Sequence, residues 1–143
     1  MKHLIFLIVT GLAVISCNIE DKKPAASSNP SDSTTIQWID PIDQNIGKVN
    51  QGEVVEILWH FKNAGNKPLV ISKVTPGCGC TGAEGPKEPV APGKDGTISA
   101  KFDSKNFSGT VHKTVSVAGN YKNKISDSPA DILGFSVDIT SKN

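Results

Sequence analysis

Most of the chain after residue 51 alternates between apolar and polar residues with a period of two. The alternation is clear in four segments, 52–62, 97–102, 110–117 and 131–140. Their apolar residues, which we expect to face a common core, are Val55, Ile57, Trp59, Phe61, Ile98, Ala100, Phe102, Val111, Val115, Val117, Leu133, Phe135, Val137 and Ile139. A period of two with one apolar side predicts β-strands that are buried on one face.

The residues between these segments also indicate an all-β protein. A turn is predicted at 63–68 and a returning strand over 69–74. The chain has 13 glycines and 9 prolines, and no segment shows the apolar spacing of an amphipathic helix. Short strands at regular spacing predict an immunoglobulin-like antiparallel β-sandwich over residues 36–143. The Cys–Trp–Cys pattern of antibody domains is absent, so the predicted similarity is one of architecture.

The N-terminus has the features of a bacterial export signal. Lys2 precedes an apolar run over 4–15, and this run is shorter than the ~18 residues of a membrane-spanning helix. Cys17 follows in the sequence Val-Ile-Ser-Cys, which resembles the lipobox of bacterial lipoproteins. We therefore expect residues 1–16 to be a lipoprotein signal peptide and Cys17 to be the acylated mature N-terminus. A buried N-terminal strand that ends in an ordinary cysteine is the alternative.

Acylation of Cys17 predicts that membrane lipid holds the protein in the cell envelope, since several acyl chains anchor firmly. We expect the outer membrane and leave open which of its faces carries the protein. Residues 17–35 are poor in large apolar side chains and are predicted to form a flexible tether. Within the tether, Asp-Ser-Thr resembles an O-glycosylation motif of Bacteroidetes, with Ser33 as acceptor. An ordinary polar linker is the alternative.

The charge balance excludes some classes of partner. The formal net charge is +1 and every basic residue is a lysine, so removal of Lys2 with the signal peptide leaves a neutral chain. Nucleic-acid recognition relies on clustered basic charge and on bidentate arginine contacts, and we expect no nucleic-acid partner. The sequence has no nucleophile elbow, P-loop, zinc-protease helix or dinucleotide fingerprint. It therefore predicts a protein that is not an enzyme and has no cofactor.

Several short motifs are arranged as in a known family. They are His-Phe-Lys-Asn-Ala-Gly at 60–65, Pro-Leu-Val-Ile at 68–71, Cys-Gly-Cys-Thr at 78–81 and Pro-Val-Ala-Pro-Gly at 89–93. Together they resemble the bacterial family called domain of unknown function 1573. The resemblance implies an Ig-like fold and a secreted or lipid-anchored protein of a kind common in Bacteroidetes. It implies no catalytic residue.

Cys78 and Cys80 carry the most evident chemistry of the predicted domain. With Cys17 acylated, they can pair with each other, with another chain or with a metal. Three interpretations stay open: a structural disulfide, a pair that cycles between dithiol and disulfide, and a thiolate site for Cu(I) or Zn(II). Further metal ligands would have to come from His60 and His112, although both alternate with the apolar positions and are predicted to face solvent.

The sequence therefore favours a lipid-anchored binding or scaffolding module. The expected partner is an envelope protein or a polysaccharide, and the exposed edges of a sandwich offer strand addition as a mechanism. The alternative is an envelope protein that handles redox equivalents or a soft metal through Cys78 and Cys80. The sequence leaves the oligomeric state open.

Overall fold

The computed structural model describes residues 33–122 and 130–141, and strands are its regular elements. They are β1 (Thr34–Trp38), β2 (Asp43–Asn50), β3 (Val54–Asn63), β4 (Ile71–Pro76), β5 (Thr81–Glu84), β6 (Asp95–Asp103), β7 (Gly109–Gly119), β8 (Tyr121–Lys122) and β9 (Ala130–Thr140). Within these ranges no helix is long and apolar enough to cross a membrane. Cys17 and residues 1–32, which include the predicted signal peptide, lie outside the described residues.

Two sheets face each other, which confirms the predicted all-β, immunoglobulin-like sandwich. The five-stranded sheet has the order β5-β6-β3-β1-β8, and the four-stranded sheet has the order β2-β9-β7-β4. Most neighbours are antiparallel, as predicted. The pairs β1–β8 and β2–β9 are parallel, so the sandwich is mixed rather than wholly antiparallel.

Most of the residues predicted to face inward form the core between the sheets, and Val55 and Val111 are partly buried against it. Trp59, Phe61, Phe102 and Phe135 have no exposed surface. The rings of Phe102 and Phe135 lie 5.7 Å apart and join β6 to β9 across the two sheets. Full burial of a large apolar side chain contributes about 1.5–3 kcal/mol, so this aromatic group is a large part of the force that holds the sheets together.

The connection after β1 and the strand β2 were not evident from the apolar pattern. Segment 43–50 is mostly polar, and its exposed residues alternate with half-buried ones, because it is an edge strand paired with β9. Its register shifts between Asn45 and Gly47, where Gly47 adopts a φ of 84° and its N–H donates to the Asn45 side chain. A short polar strand with a bulge has no regular period, and this explains why β2 was missed.

The strand predicted to return after the turn at 63–68 crosses to the other sheet. The structure places this strand at Ile71–Pro76, as β4, which pairs with β7 and not with β3. The connection from β3 to β4 therefore bridges the two layers, and β4 becomes an outer strand of the four-stranded sheet.

A fully buried asparagine fixes this crossing. Asn63 Oδ1 accepts hydrogen bonds from the Thr34 hydroxyl at 2.9 Å and from the Gly65 N–H at 3.1 Å. Its Nδ2 donates to the carbonyl oxygens of Lys67 and Val90, both at 2.8 Å. One side chain thus joins β1, the turn after β3 and the segment before β6, so the Asn-Ala-Gly motif has a structural role here.

Candidate binding site between two edge strands

Two antiparallel segments, 69–76 and 81–90, lie side by side and are joined at both ends. At one end Leu69 and Val90 exchange backbone hydrogen bonds of 2.9 and 2.8 Å. At the other end the tight turn that contains Cys78 and Cys80 connects β4 to β5. Between these ends the segments separate, because β4 pairs with β7 and β5 pairs with β6, in different sheets. The result is an opening that we call the β4–β5 slit.

A proline on β4 weakens pairing between the two segments along their middle. Pro76 lacks the N–H that a β-ladder needs. The N–H of Gly77 donates to Thr114 on β7 at 2.8 Å, so the neighbouring Pro76 directs its nitrogen away from β7 and toward the slit. The edge of β4 that faces the slit therefore lacks one of the donors that a closed hairpin would need.

The β4–β5 slit is an open groove of about 270 Å³ lined by residues 71–74 and 83–87. Its apolar walls come from Ile71, Val74 and Ala83, which are partly buried against the core. A Cβ at Gly85 would lie 3.0 Å from a methyl group of Val74. A side chain at position 85 would therefore displace this wall, and glycine avoids the clash. Residues that pack against the core thus form the apolar walls of the groove, and the groove is open to solvent.

The rim of the slit is polar and carries lysines from both sides. Lys73 on β4 and Lys87 after β5 are exposed, and Glu84 lies on the β5 side. In the described part of the chain, neither lysine forms an ion pair. The slit therefore combines an apolar floor with a rim that can accept a carboxylate.

Cys78 and Cys80 are joined by a disulfide, with their Cα atoms 5.3 Å apart. The pair lies in the turn that closes one end of the slit, and Cys80 packs against the core. The Thr81 hydroxyl lies 3.6 Å from Cys78 Sγ and 3.8 Å from Cys80 Sγ. In this state the disulfide restrains the turn from β4 to β5, and so the relative position of the slit walls.

The two candidate histidines lie elsewhere, on the outer faces of different sheets. His60 on β3 contacts Asp40, with Nδ1 and Oδ2 2.6 Å apart, and its backbone N–H donates to the same oxygen. These hydrogen bonds lower the pKa of Asp40 below its usual value. Among the described residues, no group of three or more His, Cys, Asp or Glu side chains could share a metal ion. The structure does not bring His60 and His112 together with the two cysteines.

His112 belongs to a contact that spans a strand. Its Nε2 lies 3.3 Å from Asp43 Oδ1, although β7 and β2 are separated in the sheet by β9. Gly134 on β9 lies beneath the pair, and a Cβ there would come within 3.0 Å of both side chains. Asp40 and Asp43 were not evident in the sequence as partners of the histidines, because these contacts are long-range and leave no local pattern.

A buried carboxylate is a further feature that the sequence did not reveal. Asp131, at the start of β9, is 5% exposed and accepts a hydrogen bond from Trp38 Nε1 at 2.9 Å. Burial raises the pKa of Asp131 and also that of the neighbouring Tyr121. The Tyr121 hydroxyl donates to the Val117 carbonyl at 2.8 Å. This cluster couples β1 and β8 to the four-stranded sheet.

The two facing sheets define an immunoglobulin-like β-sandwich domain that is open along the edge formed by β4 and β5. Residues 39–128 match the model of the family described as protein of unknown function DUF1573. The chain belongs to this family, as its short motifs predicted. Among curated proteins, none matches the sequence.

Solved structures of low sequence identity share the fold. A protein of unknown function from Porphyromonas gingivalis is 14% identical with a TM-score of 0.61; the match covers 77% of this chain and 49% of that one, so this chain spans about half its length. The ASH/PapD-like domain of human CEP192 is 12% identical with a TM-score of 0.55, and 96% and 99% of the two chains are covered. The VesB protease of Vibrio cholerae is 11% identical with a TM-score of 0.54, over 76% and 32%.

Ser33, the predicted sugar acceptor, directly precedes β1 and is partly exposed. Its glycosylation stays a prediction, as does the acylation of Cys17. The slit residues were not singled out from the sequence. Pro76 was the available signal, since a proline within an extended segment marks backbone that cannot donate on one side.

Proposed function

We propose that this chain is a non-enzymatic, lipid-anchored envelope protein whose sandwich binds a partner at the β4–β5 slit. The observation that carries the proposal is a groove between two edge strands, with aliphatic walls and unpaired lysines at its rim. Edge strands present backbone hydrogen-bonding groups, and an apolar groove beside them supplies burial. The likeness to the PapD-like domain of CEP192 is one of fold, and it supports the sandwich architecture on which this proposal is built.

The anchor is the second part of the proposal. Acylation at Cys17 would attach the chain to membrane lipid, with residues 18–33 between the lipid and β1. We expect an alkyne-bearing fatty acid, fed to cells that express the full chain, to label the protein. Cys17→Ser should remove the label and release the protein from the membrane fraction. Cys78→Ser should keep the label and stay in the membrane fraction. A labelled Cys17→Ser chain would contradict the anchor.

Photo-crosslinking in intact envelopes tests the binding site. Ser72 and Lys87 lie on opposite sides of the slit. A photo-crosslinking residue introduced at either position should therefore form an adduct with the same partner. The matched control is Thr97, which lies on the outer face of β6 and should form no such adduct. An adduct that forms equally at Thr97, or none at either slit position, would contradict the proposal.

Loss of both thiols distinguishes this function from a redox or metal role. The double variant Cys78→Ser, Cys80→Ser opens a very short loop, so the loop-closure contribution to stability is only about 1.5 kcal/mol. The variant should therefore stay folded and keep the adduct at Ser72. Handling of electrons or of a soft metal through this pair would require the thiols, and activity would be lost with them.

A further inference from the structure

We infer that the partner presents an extended peptide segment in which aliphatic residues alternate with acidic ones. The inference rests on the proposed binding function of the β4–β5 slit and specifies its ligand. It follows from three properties of the slit: its backbone edge, its lining and its charge.

The backbone of β4 suits an extended ligand. Because Gly77 donates to β7, alternate residues of β4 point toward β7, and Val74 directs its N–H and C=O toward the open side. Pro76 offers only its carbonyl on that side. The slit is closed at Leu69–Val90 and at the cysteine turn, so a guest strand pairs over a few residues and no further.

The lining favours a peptide over a carbohydrate. Ile71, Val74 and Ala83 form the apolar walls, and no aromatic side chain lines the slit. Sugar rings are commonly held against an aromatic face, which this groove lacks. Aliphatic side chains that alternate along an extended backbone would instead enter the groove at every second residue.

The rim charge selects among aliphatic peptides. Lys73 comes from the β4 side of the groove and Lys87 from the segment after β5, with Glu84 as the acidic residue of the rim. The lysines have no ion-pair partner in the described residues, so a carboxylate on the ligand gains attraction without breaking an existing pair. Complementary charge at a rim acts mainly on selectivity and on the association rate.

Nuclear magnetic resonance titration of the full mature chain, in detergent micelles, tests the inference with defined probes. The test probe is a blocked peptide that alternates valine and glutamate, and the matched control alternates valine and lysine. We expect the glutamate peptide to shift backbone amides of residues 71–75 and 83–87. The lysine peptide should bind at least about ten-fold more weakly, since it places like charges at the rim.

Charge reversal at the rim gives the second measurement. Lys73→Glu should weaken binding of the glutamate peptide about two- to five-fold, as expected for an exposed ion pair. The control Lys101→Glu changes the net charge equally on the outer face of β6 and should leave binding unchanged. Equal loss in both variants would show attraction to net charge alone and would overturn the inference.

Each negative outcome has a separate meaning. Equal binding of the two peptides, amide shifts confined to another face, or binding of an oligosaccharide at the slit would overturn the inferred ligand. The proposed function would still stand if crosslinking at Ser72 recovers a partner whose bound segment is not acidic. It would fail if the slit positions form no adduct in intact envelopes.

Discussion

Replacement of Asn63 by alanine should remove much of the stability of the sandwich. The side chain is fully buried and makes four hydrogen bonds, with Thr34, Gly65, Lys67 and Val90. Each lost hydrogen bond costs about 1 kcal/mol net, and a partner left buried and unpaired costs about 1–3 kcal/mol. We therefore expect Asn63→Ala to lower the free energy of unfolding by roughly 3–5 kcal/mol, a large share of the ~5–15 kcal/mol of a typical domain.

Urea unfolding, followed by the fluorescence of Trp38 and of buried Trp59, measures this loss. The matched control is Asn66→Ala, which changes an exposed asparagine of the same turn and should alter stability by less than about 0.5 kcal/mol. A loss below about 1 kcal/mol for Asn63→Ala, or an equal loss in the control, would refute the role assigned to Asn63.

The pH dependence of a second variant sharpens the test. Asn63→Asp keeps the shape but replaces the donor that faces the Lys67 and Val90 carbonyls with an acceptor. Burial would raise the pKa of the new carboxyl, so its contribution to stability would be present at low pH and lost as pH rises. The variant should recover part of its stability in acid, where the protonated group can donate. Greater stability at neutral pH would contradict this account.

Three further results are expected from the core and the surface. Because burial raises the pKa of Asp131, its carboxyl favours the folded state at low pH and opposes it as pH rises. The asparagine of Asp131→Asn does not titrate. In urea titrations, the stability of this variant relative to the wild type should therefore increase from about pH 3 to about pH 7. Gly65→Ala places a Cβ against Thr34 and its neighbouring backbone, and should lower stability by about 1–3 kcal/mol in the same assay. Gly134→Ala meets only the exposed ends of the Asp43 and histidine side chains, so a loss above about 1 kcal/mol would contradict that geometry.

The sequence predicted the long strands and their inward faces well. β3, β6, β7 and β9 each have one buried side, and burial on one side produces a regular period of two. β2 and β5 escaped prediction because the first is a bulged polar edge and the second is a four-residue segment with a glycine. Short edge strands depend on their neighbours rather than on their own pattern.

The candidate site was less predictable than the fold, for a physical reason. The cysteine turn was visible as a motif, but the slit exists because β4 and β5 join different sheets. The contacts of His60 with Asp40 and of His112 with Asp43 span 20 and 69 residues of sequence. Such contacts are decided by how the strands are ordered, and local spacing contains no information on that order.

Pro76, on the open edge of β4, has a consequence for contacts between copies of the protein. A lipid anchor would concentrate many copies in two dimensions, where unpaired strand edges of neighbouring molecules meet often. Pro76 removes a donor from the free edge of β4, which makes pairing of that edge with an identical edge less favourable. The missing N–H of Pro76 would thus disfavour pairing between copies of the chain on a crowded membrane. The groove beside β4 would stay accessible to a strand of a different protein.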